Sequence, residues 1–369
     1  MPIARQVPLA VGVLGGGLIA QVEHIPNLLG LPELFTLKGV CDPSPATRAR
    51  LAARYGVAAT AEIDELIALG LDAVVVASPD PWHGDTVTRA LTAGLAVFCE
   101  KPLCYGPVEI DALIATRDAA GGLLQVGYMK RFDPAYRRAI ELVSGRAAKL
   151  RMITVEVSDP DAWPFVDHLP YASADDVPEP LRVATSARRA TQIRAALGFD
   201  PTPEVARGFA GSLSSCLVHD VNAVHGLLDA LGIVDIVPRS ATIFDRGDGC
   251  QATIALDGGR ALWSTAQCQV PALAGYTERI RLHFDDAVVE LSFPSPYLNH
   301  HPTRLIAARS SGLALSTEEI RVSYRASFIE ELRAFAAAVI KGTPADNPAE
   351  DARRDAELLV ALARLAAKP

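Results

Sequence analysis

The 369-residue sequence predicts an α/β protein, with a doubly wound parallel sheet at the N-terminus and then an α+β domain on a large, mainly antiparallel sheet. Three observations carry that expectation. Short apolar runs alternate with helical patterns over the first 130 residues, a glycine-rich turn joins the first run to the first helical pattern, and beyond residue 230 apolar runs succeed one another as hairpins.

Taken in order, 9–14, 35–41, 73–77, 95–99 and 123–126 read as strands, because they are short apolar runs, and 95–99 is of the kind buried on both faces. The amphipathic segments between them read as the crossover helices that parallel strands require. After Asp133-Pro134 the rhythm changes: a helix over 135–143 precedes an alternating strand over 149–157. The stretch 158–210 is rich in Pro, Asp and Ala, with one helical pattern over 186–197. It is expected to be an irregular insertion, and a lid is one role for so long a loop. Runs at 233–243, 251–256, 261–270, 279–284 and 287–291 then follow as strands, with Asp257-Gly258-Gly259 and Asp285-Asp286 supplying turns. Amphipathic helices over 328–340 and 350–365 close the chain, separated by the stop signal Lys341-Gly342-Thr343-Pro344. The expected division is a first domain over 1–130 and a second over 131–369, with the closing helices free to pack back on the first.

Composition narrows the function. Half the residues are hydrophobic and 21% are charged, without an apolar run long enough to span a membrane, so no membrane partner is expected. A net charge of −8 argues against nucleic acid, whose phosphates need clustered Lys and Arg. The one basic cluster, Arg188-Arg189 with Arg194, reads as a solvated helix face. About eight residues precede the first strand, too few for a signal peptide, and a cytoplasmic location is expected. Six scattered cysteines without a C-x-x-C pair read as reduced core thiols.

The run Gly15-Gly16-Gly17-Leu18-Ile19-Ala20 fits G-x-G-x-x-A between a strand and a helix. The first glycine permits the turn, Gly17 lets a pyrophosphate approach the backbone at Leu18 and Ile19, and the small last residue lets helix pack on sheet. The next strand ends at Asp42, where a Rossmann fold wants an acid for the adenosine ribose hydroxyls; the alternative is a turn or helix cap before Pro43. An acid there repels a 2′-phosphate, and Pro43-Ser44-Pro45 offers no arginine to receive one, so NAD is favoured over NADP. Ligands of such sheets sit at the carboxyl ends of strands. Ser78, Pro79 and His83 in one turn, and Glu100-Lys101-Pro102 in the next, should therefore face the dinucleotide; His83 as a cap on the following helix is the competing role. His219 and His225 are six apart, off one helical face, and no H-E-x-x-H or C-x-x-C occurs, so no metal is expected. No G-x-S-x-G elbow marks a nucleophile.

Together, Gly15 to Ala20, the Val-Ala-Ser-Pro-Asp-x-x-His run ending at His83, Glu100-Lys101-Pro102 and Gly127-Tyr128-Met129-Lys130-Arg131-Phe132-Asp133 resemble the glucose-fructose oxidoreductase, inositol dehydrogenase and MocA (Gfo/Idh/MocA) family. The likeness spans nearly the whole chain apart from 158–210. It implies an NAD-dependent oxidoreductase moving hydride between nicotinamide and a secondary hydroxyl of a sugar, cyclitol or glycoside. The alternatives are a redox-neutral enzyme that uses tightly held NAD transiently, and a non-catalytic sensor. The resemblance makes Lys101 the residue that touches both nicotinamide ribose and substrate hydroxyl, and His219 the general acid or base. In the family segment G-G-x-x-x-D-x-x-x-H-x-x-D, Ser215 stands at the first acid and Asn222 at the second. The loss at Ser215 removes a carboxylate that would orient His219. Lys130, Asp159, Ser215, His219 and Tyr276 are the expected substrate contacts, with an inert loop acid the competing role for Asp159, and a homodimer or homotetramer is expected by analogy.

Overall fold

The computed structural model describes residues 7–171 and 174–368. The N-terminal stretch expected to be too short for a signal peptide falls mostly outside these, as does part of the expected lid. The chain divides into two compact units: residues 1–128 with 166–196 and 328–354, and residues 129–165 with 197–327 and 355–369.

The first unit is a six-stranded parallel sheet: β1 Leu9–Leu14, β2 Phe35–Cys41, β3 Ala58–Thr60, β4 Ala73–Val76, β5 Ala96–Glu100 and β6 Leu124–Gly127, in the order β3-β2-β1-β4-β5-β6. Five of these were expected. The short, half-exposed β3 has too little apolar pattern to be read as a strand. The order reverses between β1 and β4, which makes the carboxyl ends of those strands the ligand crevice of the fold. The closing helix Ser327–Lys341 belongs to this unit, where Leu332, Phe335, Ala336 and Val339 join the core formed by Leu9, Val11, Val13, Val75 and Phe98.

The segment expected to be irregular is largely helical. Trp163–Val166, Glu179–Leu197 and Pro203–Gly208 are helices, and the second runs seven residues further toward the N-terminus than the pattern over 186–197 suggests. Arg188 and Arg189, expected in a solvated face, are instead paired within the protein. Arg188 lies over the Trp82 ring, 4.6 Å from its centroid, and pairs with Asp85 at 2.6 Å; Arg189 pairs with Asp80 at 2.8 Å and donates to the Tyr105 hydroxyl.

In the second unit, β7 Leu150–Asp159, β8 Ile236–Phe244, β9 Gly249–Leu256, β10 Ala261–Gln269, β11 Thr277–Phe284, β12 Ala287–Phe293, β13 Arg304–Ser311 and β14 Ala314–Ile320 form one sheet, ordered β14-β13-β12-β11-β7-β10-β9-β8. It is antiparallel except where β10 pairs with β7. The edge strand β14 is exposed along nearly its whole length and β13 is Arg- and Ser-rich, so neither stands out in sequence. Asp133 caps the helix Pro134–Val143 by accepting from the amides of Ala135 and Tyr136, as Asp-Pro at a helix start should. The helix Val218–Leu231 follows a wide-turned segment, Phe209–Leu217, and carries His219 in its first turn.

Candidate functional site

At the dinucleotide end, β1 runs into a turn that only glycine can make. Gly15 has φ +94°, and a Cβ there would lie 2.4 Å from the Ala77 carbonyl oxygen. Gly16 donates its amide to Asp42 Oδ2 at 2.8 Å, while Ser44 donates to Oδ1 at 2.8 Å. Asp42 therefore ties the glycine turn to the end of β2. Gly17 is exposed with open space where a Cβ would be, Leu18 and Ile19 are half-buried, and Pro79 is exposed. Ser78 Oγ is buried with no hydrogen-bond partner among the described residues. A backbone cradle with room above Gly17 and an orphaned hydroxyl at the end of β4 fit a dinucleotide.

Two residues expected to touch the cofactor are spent on the protein. His83 is 1% exposed, and its ring nitrogens face the Pro102 carbonyl (Nδ1, 2.8 Å) and the Ser78 carbonyl (Nε2, 2.8 Å). It bridges the turns after β4 and β5 instead of presenting an edge to a ligand. Glu100 is likewise buried, with His24 Nε2 2.7 Å from Oε1 and the Lys101 amide donating to Oε2 at 3.2 Å. Burial works against this carboxylate, but the bond and charge of His24, with Lys101, outweigh it and hold its pKa below the usual range. The Glu-Lys-Pro turn is thus fixed from inside, by His24 at the end of the wide turn Ala20–His24 and by His83 on the other side. Lys101 stands half-exposed between them, before a cis bond to Pro102.

In the second unit Lys130, expected to contact substrate, is buried and paired within the protein. It is 2% exposed, and its ammonium lies 2.9 Å from Asp220 Oδ1, bonds Glu278 Oε1, and sits 5.0 Å from the Phe293 ring centroid. Burial disfavours its charge, yet Asp220 and Glu278 more than offset this and raise its pKa. Burial, reinforced by Glu278, also raises the Asp220 pKa well above the carboxylate range. The three side chains thus form one buried cluster in which a single ammonium bonds both acids, the matching that buried charge requires.

Around the same acids stand Cys216 and Tyr276. The thiol is pushed well up by burial and by Asp159, Glu278 and Asp220, and the phenol by burial and by Glu278, Cys216, Asp220 and Asp159. Both keep their protons at neutral pH, so Tyr276 is a donor. Asp159 closes β7 and accepts from Gln269 Nε2 at 3.1 Å. Ser215 is exposed one turn before His219, which is half-buried. Asn222 is not a lost acid in its surroundings: Asp355 supplies the carboxylate, accepting from Asn222 Nδ2 at 2.8 Å and bonding His225 Nδ1 at 2.6 Å, while Arg131 Nε donates to Asn222 Oδ1 at 3.0 Å.

The residues that the sequence reading misses carry a faint signal. Glu278 occupies an inward position of β11, in register with Ile280, Leu282 and Phe284, and Asp355 lies on the buried stripe of Ala352, Ala356 and Leu359. A charge on an apolar register must find a buried partner.

Comparison with known proteins agrees with this anatomy. A family model described as an oxidoreductase family with an NAD-binding Rossmann fold matches residues 9–128. An inositol 2-dehydrogenase of Rhizobium meliloti (strain 1021) is 26% identical over 345 residues, covering 90% of this chain and 88% of the relative. Inositol 2-dehydrogenase 1 of Saccharopolyspora erythraea is 32% identical over 261 residues, 64% of this chain and 76% of the relative. Among solved structures, KijD10, a 3-ketoreductase from Actinomadura kijaniata in complex with NADP and TDP-benzene, superposes with a TM-score of 0.71 at 20% identity, covering 96% of this chain and 97% of that one. The last likeness concerns the fold; the matching Rossmann domain and the inositol dehydrogenase relatives go further, and the chain belongs to the Gfo/Idh/MocA oxidoreductase family, as an NAD(P)-dependent dehydrogenase acting on CH–OH groups.

Proposed function

We propose that the protein oxidises a secondary hydroxyl of a cyclitol, sugar or glycoside with NAD, or reduces the corresponding ketone. The observation that carries this reading is the Glu100-Lys101-Pro102 turn, held by His24 and His83 so that Lys101 is the one residue of the three left half-exposed. The nicotinamide supplies the hydride acceptor. Lys101 positions the reacting hydroxyl and stabilises negative charge developing on its oxygen. His219 takes the hydroxyl proton during oxidation and returns it during reduction. The proton-bearing Tyr276 donates to a second hydroxyl, and Asp159 accepts from another, which suits a substrate carrying several hydroxyls on one ring. The curated relatives support a cyclitol as the first substrate to try, since they are inositol 2-dehydrogenases.

Purified protein given NAD and a panel of inositols and sugars is expected to produce reduced nicotinamide with at least one of them. Lys101→Ala should retain dinucleotide binding while turnover falls by about 10²–10⁴. Full turnover in that variant would remove Lys101 from the chemistry.

A further inference from the structure

The stretch 158–210, to which the family likeness does not extend, contributes residues 166–196 to the first unit, and part of it lies where β2 ends. Asp176 accepts from the Ser44 hydroxyl and from the Ala46 amide at 2.8 Å. These groups open the eleven-residue helix Pro45–Tyr55 directly after Asp42; Ser44 is its N-cap and is 1% exposed. Nine residues on, Thr185 accepts from Trp82 Nε1 at 2.9 Å, and Arg189 pairs with Asp80. Asp176 is thus held at the end of β2 and Thr185 and Arg189 at the turn after β4, and in the sheet order β1 lies between those two strands. The segment from 176 to 189 is a strap anchored on both sides of the glycine turn.

What Asp176 occupies is an anion position. A helix N-terminus with a capping hydroxyl and a first-turn amide, next to the acid that closes β2, is where a Rossmann fold would seat the 2′-phosphate of NADP. A cation for that phosphate is present too, although Pro43-Ser44-Pro45 holds none: Arg48, in the first turn of the same helix, donates to the Asp42 carbonyl at 2.7 Å, and its charge favours the ionised form of Asp176. Hydroxyl, amide and guanidinium would together receive a phosphate. Asp176 fills the first two with its own carboxylate and neutralises the third.

We propose that Asp176 is a specificity-determining residue of the dinucleotide site, whose carboxylate stands in the place of a 2′-phosphate and thereby selects NAD over NADP. This rests on the reading of the first unit as a dinucleotide site with the adenosine ribose at Asp42. NAD needs only the two ribose hydroxyls there, which Asp42 accepts. NADP must displace Asp176 from Ser44 and Ala46 and then bear two neighbouring carboxylates.

The test is a pair of binding titrations, NAD and NADP against the full chain, for the wild type, Asp176→Asn and Asp176→Ala. The wild type is expected to bind NAD the more tightly. In Asp176→Asn, which keeps one of the two acceptor oxygens but removes the charge, the NADP-to-NAD ratio of Kd values should fall about tenfold, mainly through tighter NADP. Asp176→Ala should match or exceed that. Because the discrimination is electrostatic and near the surface, the wild-type ratio should also shrink with added salt. NAD binding with an unchanged ratio in both variants overturns the role of Asp176 and leaves the dinucleotide reading intact. Failure of the wild type to bind either dinucleotide overturns both.

Discussion

Lys130→Met is the sharpest probe of the buried cluster in the second unit. Methionine fills much of the lysine volume but leaves Asp220 and Glu278, with side chains 0% and 3% exposed, without their cation. Burial and the neighbouring Glu278 already push the Asp220 pKa up in the native protein. Once Lys130 is gone, one carboxylate of the pair must take up a proton for the two to stay buried together. For a carboxyl of ordinary pKa about 4.3, that costs about 3–4 kcal/mol at pH 7, in line with the roughly 3–5 kcal/mol typical of breaking a buried ion pair from one side. For a unit of this size the loss corresponds to a fall in Tm of about 10 °C.

The pH dependence identifies the cause. The variant's folded state carries one proton that its unfolded state releases above a pH of about 4.3, so the deficit should grow by about 1.4 kcal/mol per pH unit and be small near pH 5. In the wild type Lys130 acts in another pH window: its raised pKa contributes stability that is full below the ordinary lysine value and is lost only as pH rises through the folded one. Urea denaturation of both proteins at pH 5 and pH 8 measures the difference directly. Lys130→Met/Glu278→Gln should recover most of the loss at pH 8. An equal deficit at both pH values, or no recovery in the double variant, would refute the electrostatic account and leave only lost packing.

Two further outcomes follow from buried groups. Glu331 is 0% exposed and neither carboxyl oxygen has a hydrogen-bond partner among the described residues; burial, with Glu100 and Glu23 nearby, raises its pKa well above 4.5. Its contribution to stability is full below the unfolded value and declines as pH rises, so Glu331→Gln should match the wild type in Tm at about pH 4.5 and exceed it increasingly toward pH 8; a constant offset would sink this. For Tyr276→Phe, steady-state kinetics with an accepted polyol should show KM raised about tenfold and kcat changed less, the pattern of a lost binding contact, whereas an unchanged KM would take Tyr276 out of substrate binding.

Much of this molecule is legible in the sequence because its signals are local. The strands β1 and β2 fall on the expected residues: β1 is a continuous apolar run closed by a glycine turn, and β2, with Thr36 and Lys38 exposed, alternates before an Asp-Pro pair. Gly15 announces itself in the same way, through a backbone conformation that a side chain would forbid. The shortfalls have two causes. β3, β13 and β14 are short or exposed, so no buried face imprints a period of two on them. The partners of His83, Glu100 and Lys130 lie 19, 76 and up to 148 positions away in sequence, and a motif shows that a charged residue is needed without showing which way it points.

That second cause has a regular form here. The charged residues of the signature stretches that look most like ligands, Glu100 and Lys130, are the buried ones, while Lys101, Ser215 and His219 keep part of their surface in reach of solvent. An acid or base inside a protein must be matched within hydrogen-bond distance, and the matching fixes the backbone next to it. Glu100 holds the Lys101 amide, and Asp220, bonded to Lys130, is the residue after His219. In both units the candidate catalytic side chain is thus the chain neighbour of a buried charge whose partners are all within the protein. A flexible lysine and a histidine without the usual acid at position 215 gain a fixed backbone origin this way. The stability effects forecast for Lys130→Met therefore bear on where His219 is held as much as on whether the second unit folds.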